Sequence, residues 1–91
     1  MPSLPASVQP YKRTPEFDEN TIPAGLLRSH STASGVWARI RVLEGELIYR
    51  MLGPEPRELL LSPGTDGVAA PAAKHEVEAP GRVRFYVEFL R

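Results

Sequence analysis

The two histidines are the residues of this chain best suited to chemistry. His30 and His75 are far apart in the sequence, and each is expected near the end of a strand, beside a loop. Two neutral imidazoles that meet at one place can hold Zn²⁺, Fe²⁺, Mn²⁺ or Ni²⁺, with carboxylates or waters completing the shell. The alternative is that each is an ordinary half-buried histidine bonded to a backbone carbonyl or a glutamate. The pair therefore predicts a metal site only if a third ligand joins it.

Glu78 is the predicted third ligand, and Glu76 and Glu88 are the other carboxylates considered. Successive side chains of a regular strand point to opposite faces. His75 and Val77 should therefore share one face of their strand, while Glu76 and Glu78 share the other. Glu78 reaches the histidines only if that strand twists or bulges.

Trp37, Arg28 and Arg39 are the remaining candidates for ligand contact. The sole tryptophan can stack on a ligand, and an inward arginine can bind an anion. Structural roles compete with both interpretations, because a lone tryptophan can fill a core and an arginine on a strand usually pairs with a glutamate outside. No residue is assigned a catalytic role, since the sequence contains no cysteine and no GxSxG, HExxH, P-loop or GxGxxG pattern. Hydrolase, kinase and dinucleotide-dependent activities have no support.

The elements that must position these residues are predicted to be β-strands. In residues 37–52, Ile40, Val42 and Tyr49 alternate with charged side chains, which is the pattern of strands with one apolar face. Gly45 supplies the permissive backbone of a tight turn, so this stretch is predicted to be a β-hairpin.

Turn signals recur about every 8 to 12 residues, which is typical of an all-β sandwich or barrel. A single helical turn capped by Thr14 is expected near the start, with Phe17 as its buried anchor. The final strand has bulky side chains on both faces and should lie centrally. Further strands are expected at residues 26–30, 58–61, 68–71, 75–79 and 82–91.

Length and composition limit the possible partners. The chain has 91 residues and a formal net charge of zero, so it forms one domain without the positive charge that nucleic-acid binding requires. No stretch approaches the ~20 apolar residues of a membrane span, and we expect a cytoplasmic protein. Residues 1–13 are expected to be extended or loosely ordered, and residues 14–91 to form the domain. A core this thin favours a homodimer.

Five sequence blocks resemble a known family. They are TPEF, TIPAGLLRSH, GVWARIRVLEGELIY, APAAKHEVE and RFYVEF, in this order from Thr14 onward. Together they are similar to the cupin-like domain of YeaR-type proteins and of the N-terminus of TehB-type tellurite-resistance proteins. The resemblance implies a small jelly-roll barrel. It also implies that the family's motif positions are His30, Trp37, Gly45, His75 and Glu78.

The chain departs from the wider cupin pattern at one place. Metal-binding cupins have an H-x-H pair and a glutamate shortly before the VLEG segment, where this chain has TASGVWAR. The expected function is therefore a non-enzymatic binding module that holds a divalent metal or a small ligand, such as an anion, at the barrel mouth, in a tellurite or other stress response. One alternative is a small metalloenzyme, an oxygenase or isomerase, that uses His30, His75 and a glutamate. The other is a structural or dimerisation domain without a ligand.

Overall fold

The computed structural model describes residues 3–91, so the first two residues of the predicted N-terminal segment lie outside the described part of the chain. The described chain forms nine strands and one 3₁₀ helix, Ala24–Leu27. The strands are β1 (Pro10–Arg13), β2 (Phe17–Asp18), β3 (His30–Ser31), β4 (Trp37–Gly45), β5 (Leu47–Met51), β6 (Arg57–Leu61), β7 (Gly67–Ala69), β8 (Lys74–Glu78) and β9 (Val83–Leu90).

The strands form two antiparallel sheets that pack face to face. Sheet I has five strands, in the order β1-β9-β4-β7, with β2 also paired to β9. Sheet II has four strands, in the order β3-β8-β5-β6. The all-β prediction is confirmed, and the arrangement is a sandwich, since no pairing between the described strands closes it into a barrel. Among residues 3–91 there is no helix with the length and hydropathy that a membrane crossing requires.

The core lies between the two sheets. Strand β9 pairs with β1, β2 and β4, which confirms the central position predicted from its bulky side chains. The alternation predicted for residues 37–52 is also confirmed, because the apolar positions are buried and the charged ones face outward. The buried side chains of the core are Ala38, Ile40, Val42, Leu47, Tyr49, Leu61, Ala69, Val77, Val83, Phe85 and Val87.

The predicted hairpin is wrong, although both of its strands exist. Strand β4 belongs to sheet I and β5 to sheet II, so the chain crosses between sheets at Gly45 instead of folding back on itself. Gly45 has φ +75°, and a Cβ there would collide with the backbone carbonyl of Arg82. An irregularity between Val42 and Glu44 precedes this corner. Bulges of this kind bend a strand and increase its twist, which suits a crossing between sheets.

The strand predicted at residues 26–30 is also wrong. The chain there forms the 3₁₀ helix, whose turn is closed by the Leu26 N–H donating to the Pro23 carbonyl at 2.9 Å. Only His30 and Ser31 remain as strand. Pro23 fixes its own φ near the value that a helical turn needs at its start. Four residues are also too few for a periodic pattern to distinguish a strand from a 3₁₀ helix.

The helical turn predicted at Thr14 is a third error. Phe17 and Asp18 form β2, which pairs with Phe85 and Arg84 of β9. The Thr14 N–H donates to the Val87 carbonyl at 2.9 Å, and the Thr14 hydroxyl accepts from the Val87 N–H at 3.0 Å. Tertiary pairing with the long central strand thus overrides the local capping signal.

Candidate functional site

The two histidines meet on neighbouring strands of sheet II. His30 of β3 lies directly opposite His75 of β8 in the antiparallel ladder. Their ring centroids are 5.4 Å apart with the planes at 89°, an edge-to-face contact. The short strand β3 thus brings together two residues that are far apart in the sequence.

The hydrogen bonding of His75 determines which ring nitrogen a ligand can use. His75 is 4% exposed, and its Nδ1 lies 3.2 Å from the carbonyl oxygen of Ala73. A carbonyl only accepts, so Nδ1 carries the proton and donates. Nε2 then has the lone pair of the neutral ring, and the hydrogen bond that this ring forms with a described residue is the one at Nδ1. The protein therefore presents an acceptor nitrogen at this position.

Burial determines the charge of His75. Desolvation lowers its pKa below the ordinary value of 6.5, and the nearby His30 lowers it further, while the hydrogen bond to Ala73 opposes both effects. The ring of Tyr49 packs edge-on against the His75 ring, with centroids 5.8 Å apart. His75 is therefore a neutral imidazole held between two other rings at neutral pH.

A cavity of about 190 Å³ opens beside the histidine pair, between the two sheets. Three phenylalanine rings contribute to its wall, and two of them, Phe17 and Phe85, meet edge-to-face at 5.7 Å. Leu26 of the 3₁₀ helix covers one side, since that helix packs on β3 and β8. The complete lining is Thr14, Phe17, Pro23, Leu26, His30, Thr32, Ala38, Ile40, His75, Val77, Phe85, Val87 and Phe89.

Both threonine hydroxyls in the wall already have protein partners. The Thr32 hydroxyl donates to the Val36 carbonyl at 2.8 Å and accepts from the Ala72 N–H at 3.3 Å. The Thr14 hydroxyl donates to the Pro15 carbonyl at 2.8 Å. The imidazoles are therefore the polar groups of the wall that remain open to a ligand.

The structure does not bring Glu78 to the histidines. Glu78 lies on the outer face of sheet II, where its carboxylate accepts a hydrogen bond from Arg50 at 2.6 Å. Strand alternation is thus kept on β8, with His75 and Val77 inward. Glu88 is on the outer face of sheet I and pairs with Arg39 at 2.8 Å. Neither carboxylate contributes to the cavity wall.

The three other candidate residues also lie away from the cavity. Arg39 is held by Glu88, and Trp37 shares its outer face of β4. Arg28 is exposed, at the end of the 3₁₀ helix. Among residues 3–91, no arginine, lysine or carboxylate lines the cavity. The site is therefore apolar and uncharged except for the two imidazoles.

The divalent metal predicted from the two histidines fits this donor set poorly. The described residues contain no group of three or more histidine, cysteine, aspartate or glutamate side chains that could hold a metal ion. Two neutral imidazoles leave a divalent charge uncompensated in an apolar wall, and such a charge is costly to bury. The geometry thus favours a ligand that needs little charge compensation.

The sequence did not reveal the apolar wall of the site. Phe17 is predicted to be a buried anchor, but nothing in the sequence shows that a cavity lies beside its ring. Thr32 is also part of this wall and is 7% exposed, although threonine is a polar residue that is mostly found at the surface. The one available signal was its position two residues after His30, which places both side chains on the same face of an extended segment.

Comparison with protein-family models identifies the family of the chain. A family model for the TehB-like domain matches residues 12–87, so the chain belongs to the TehB-like domain family. This confirms the resemblance to TehB-type proteins seen in the sequence blocks. A comparison with functionally curated proteins finds no match.

Two solved structures share the fold. The crystal structure of an Escherichia coli K12 protein, determined in a structural-genomics programme, has a TM-score of 0.88 and 26% identity, and the match covers 100% of this chain and 97% of that chain. The crystal structure of TehB from Haemophilus influenzae has a TM-score of 0.85 and 24% identity. This second match covers 93% of the present chain but only 32% of the TehB chain, and it shows the fold alone.

Proposed function

We propose that this TehB-like domain is a binding module that holds a small molecule in the cavity between its sheets, with His30 and His75 as the polar contacts. The observation that carries the proposal is the cavity of about 190 Å³ beside the histidine pair. The proposal rests on the shape and chemistry of the wall.

The volume of the cavity supports a ligand-binding role over a purely structural one. Leaving an apolar wall unfilled around a cavity of about 190 Å³ costs a small fold the burial free energy that larger side chains would supply there. Domains of this size are stable by only about 5–15 kcal/mol in total. A larger residue at Ala38, which lines the cavity, would reduce this cost. A ligand that fills the space recovers part of the same free energy.

The test compares the wild-type chain with the cavity-filling variant Ala38→Leu. Benzene is titrated into ¹⁵N-labelled protein, and the amide signals of cavity residues such as Phe85, Val77 and His75 are followed. We expect saturable shifts in the wild type and their loss in the variant, which should fold at least as stably. Absence of shifts in the wild type, or equal shifts in both proteins, would refute the proposal.

We also propose a homodimer, in which a second copy covers the edge of sheet II. Strand β6 forms that edge, and Leu60 on it is 52% exposed. Its neighbour across the ladder is Ile48, which is half-buried on the same face. An apolar edge strand of this kind is suited to pairing with another chain.

A further inference from the structure

The cavity also indicates the chemical class of its ligand, an inference that rests on the proposed function. We propose that the ligand is an uncharged molecule of about one aromatic ring, with a single hydroxyl or N–H group that donates a hydrogen bond to Nε2 of His75. Phenol is the simplest compound of this class.

The size of the ligand follows from the volume. The cavity measures about 190 Å³. An engineered apolar cavity of about 150 Å³ in another protein takes up benzene. The present cavity therefore has room for one ring and a small substituent, and is too small for a nucleotide.

The preference for a ring follows from the wall. Phe17, Phe85 and Phe89 line the cavity, and the first two already meet edge-to-face. Aromatic rings attract one another in this geometry beyond the area they bury. An aromatic ligand between the sheets would add a third ring to the edge-to-face pair of Phe17 and Phe85.

The preference for one proton donor follows from the hydrogen bonds of the wall. The threonine hydroxyls are engaged with backbone groups, and Nδ1 of His75 donates to Ala73. The acceptor lone pair on Nε2 of His75 is then open to a ligand, beside the imidazole of His30. A ligand without a donor leaves this nitrogen unpaired when it displaces water, and that loss is the basis of selectivity.

The exclusion of anions follows from charge. No charged side chain of the described chain lines the cavity, and Arg39 is occupied by Glu88 on the outer face of sheet I. A carboxylate or an oxyanion would lose its hydration without gaining a cationic partner. The site therefore rejects benzoate and tellurite, although both are small.

The experiment compares matched probes on the ¹⁵N-labelled full chain. Phenol and toluene have the same shape and differ in the hydroxyl, while benzoate adds a charge. We expect phenol to shift the amides of the cavity residues, toluene to bind on the order of tenfold more weakly for want of one hydrogen bond, and benzoate to give no saturable shift. Sodium tellurite and Zn²⁺ serve as probes of the anion and metal alternatives.

Two substitutions at His75 test the role of Nε2. An asparagine places its amide near the Nδ1 position and retains the donor to Ala73, whereas a glutamine places its amide near the Nε2 position. His75→Asn should bind phenol and toluene equally, and His75→Gln should retain part of the preference for phenol. Amide dispersion in each spectrum shows that the variant is folded, and the comparison of probes on the wild type stands without either variant.

The outcomes separate this inference from the proposed function. Equal binding of phenol and toluene to the wild type, or a preference for phenol that survives His75→Asn, overturns the assignment of Nε2. Tighter binding of benzoate, tellurite or Zn²⁺ at the cavity overturns the ligand class and leaves the binding module in place. If no probe shifts the cavity residues, both proposals fail.

Discussion

His30 and His75 lie directly opposite each other in the ladder between β3 and β8, with their rings edge-to-face at 5.4 Å. This contact places two imidazoles at the wall of an otherwise carbon-lined cavity. The same strand alternation that turns His75 inward turns Glu78 outward. The arrangement therefore suits the recognition of a neutral molecule better than the binding of a metal.

The first prediction concerns the pH dependence of stability. Burial lowers the pKa of His75 in the folded chain, so between that pKa and about 6.5 the unfolded chain binds a proton that the folded chain does not. The contribution of His75 to the free energy of unfolding should be fully present above about pH 6.5 and should decrease as the pH falls below this value. Urea unfolding at several pH values measures the effect.

His75→Asn is the matched control for this prediction, because it removes the titrating ring and retains the donor to Ala73. The decrease in the free energy of unfolding below about pH 6.5 should be smaller in this variant. An identical pH profile in the two proteins would show that His75 does not contribute to it.

The second prediction concerns Glu78. Its exposed carboxylate is one of three that surround Arg50, together with Glu58 and Glu76. The hydrogen bonds that Arg50 donates to the carboxylates of Glu78 and Glu58 raise its pKa, and Arg50 stays charged in any case. Exposed ion pairs contribute little to stability. Glu78→Gln should therefore leave the urea midpoint and the affinity for phenol unchanged within error, and a clear loss of phenol binding would place Glu78 in the site.

The sequence predicted the alternating strands of residues 37–52 well, and it predicted the pairing between strands poorly. Alternation in residues 37–52 identified both strands and their buried faces, because successive side chains of a strand point to opposite faces. The choice of partner strand did not follow, since Gly45 permits a corner between sheets as readily as a hairpin turn. The sequence also predicted that Glu78 points to the face of its strand opposite His75, and the structure shows this orientation.

The site was predictable only in part. The two histidines were recognised from residue type and position, but the cavity depends on how Phe17 and the 3₁₀ helix cover one side of the sandwich. Both elements were assigned to other structures from the sequence. Their placement is decided by pairing with β9 and packing on β8, which are contacts between distant parts of the chain.

The third prediction tests the corner between the sheets. Gly45 and Gly35 both have φ +75°, but a Cβ collides with the Arg82 carbonyl at Gly45 and meets nothing within 4 Å at Gly35. Gly35→Ala should cost about 1 kcal/mol from backbone strain alone, and Gly45→Ala about 3 kcal/mol or more. Urea unfolding of both variants measures the difference. Equal losses would show that the close approach to Arg82 is not a constraint.

The fourth prediction concerns the proposed homodimer. Leu60→Lys places a charge on edge strand β6, and lysine on an edge opposes pairing with another chain. Sedimentation equilibrium should show a dimer for the wild type and a monomer for this variant. Leu52→Lys is the control, because Leu52 is also exposed but lies just beyond strand β5. A wild-type monomer, or a dimer in both variants, would contradict the proposed interface.

A crystal structure of the chain in complex with phenol would show whether the cavity binds a ring and whether His75 recognises its hydroxyl. We expect one phenol ring between the sheets beside Phe85, with its hydroxyl at a hydrogen-bonding distance of about 2.7–3.0 Å from Nε2 of His75. A ring bound only on the outside of the sandwich would refute the proposed binding site. A ring within the cavity whose hydroxyl points away from the histidine pair would refute the recognition by His75.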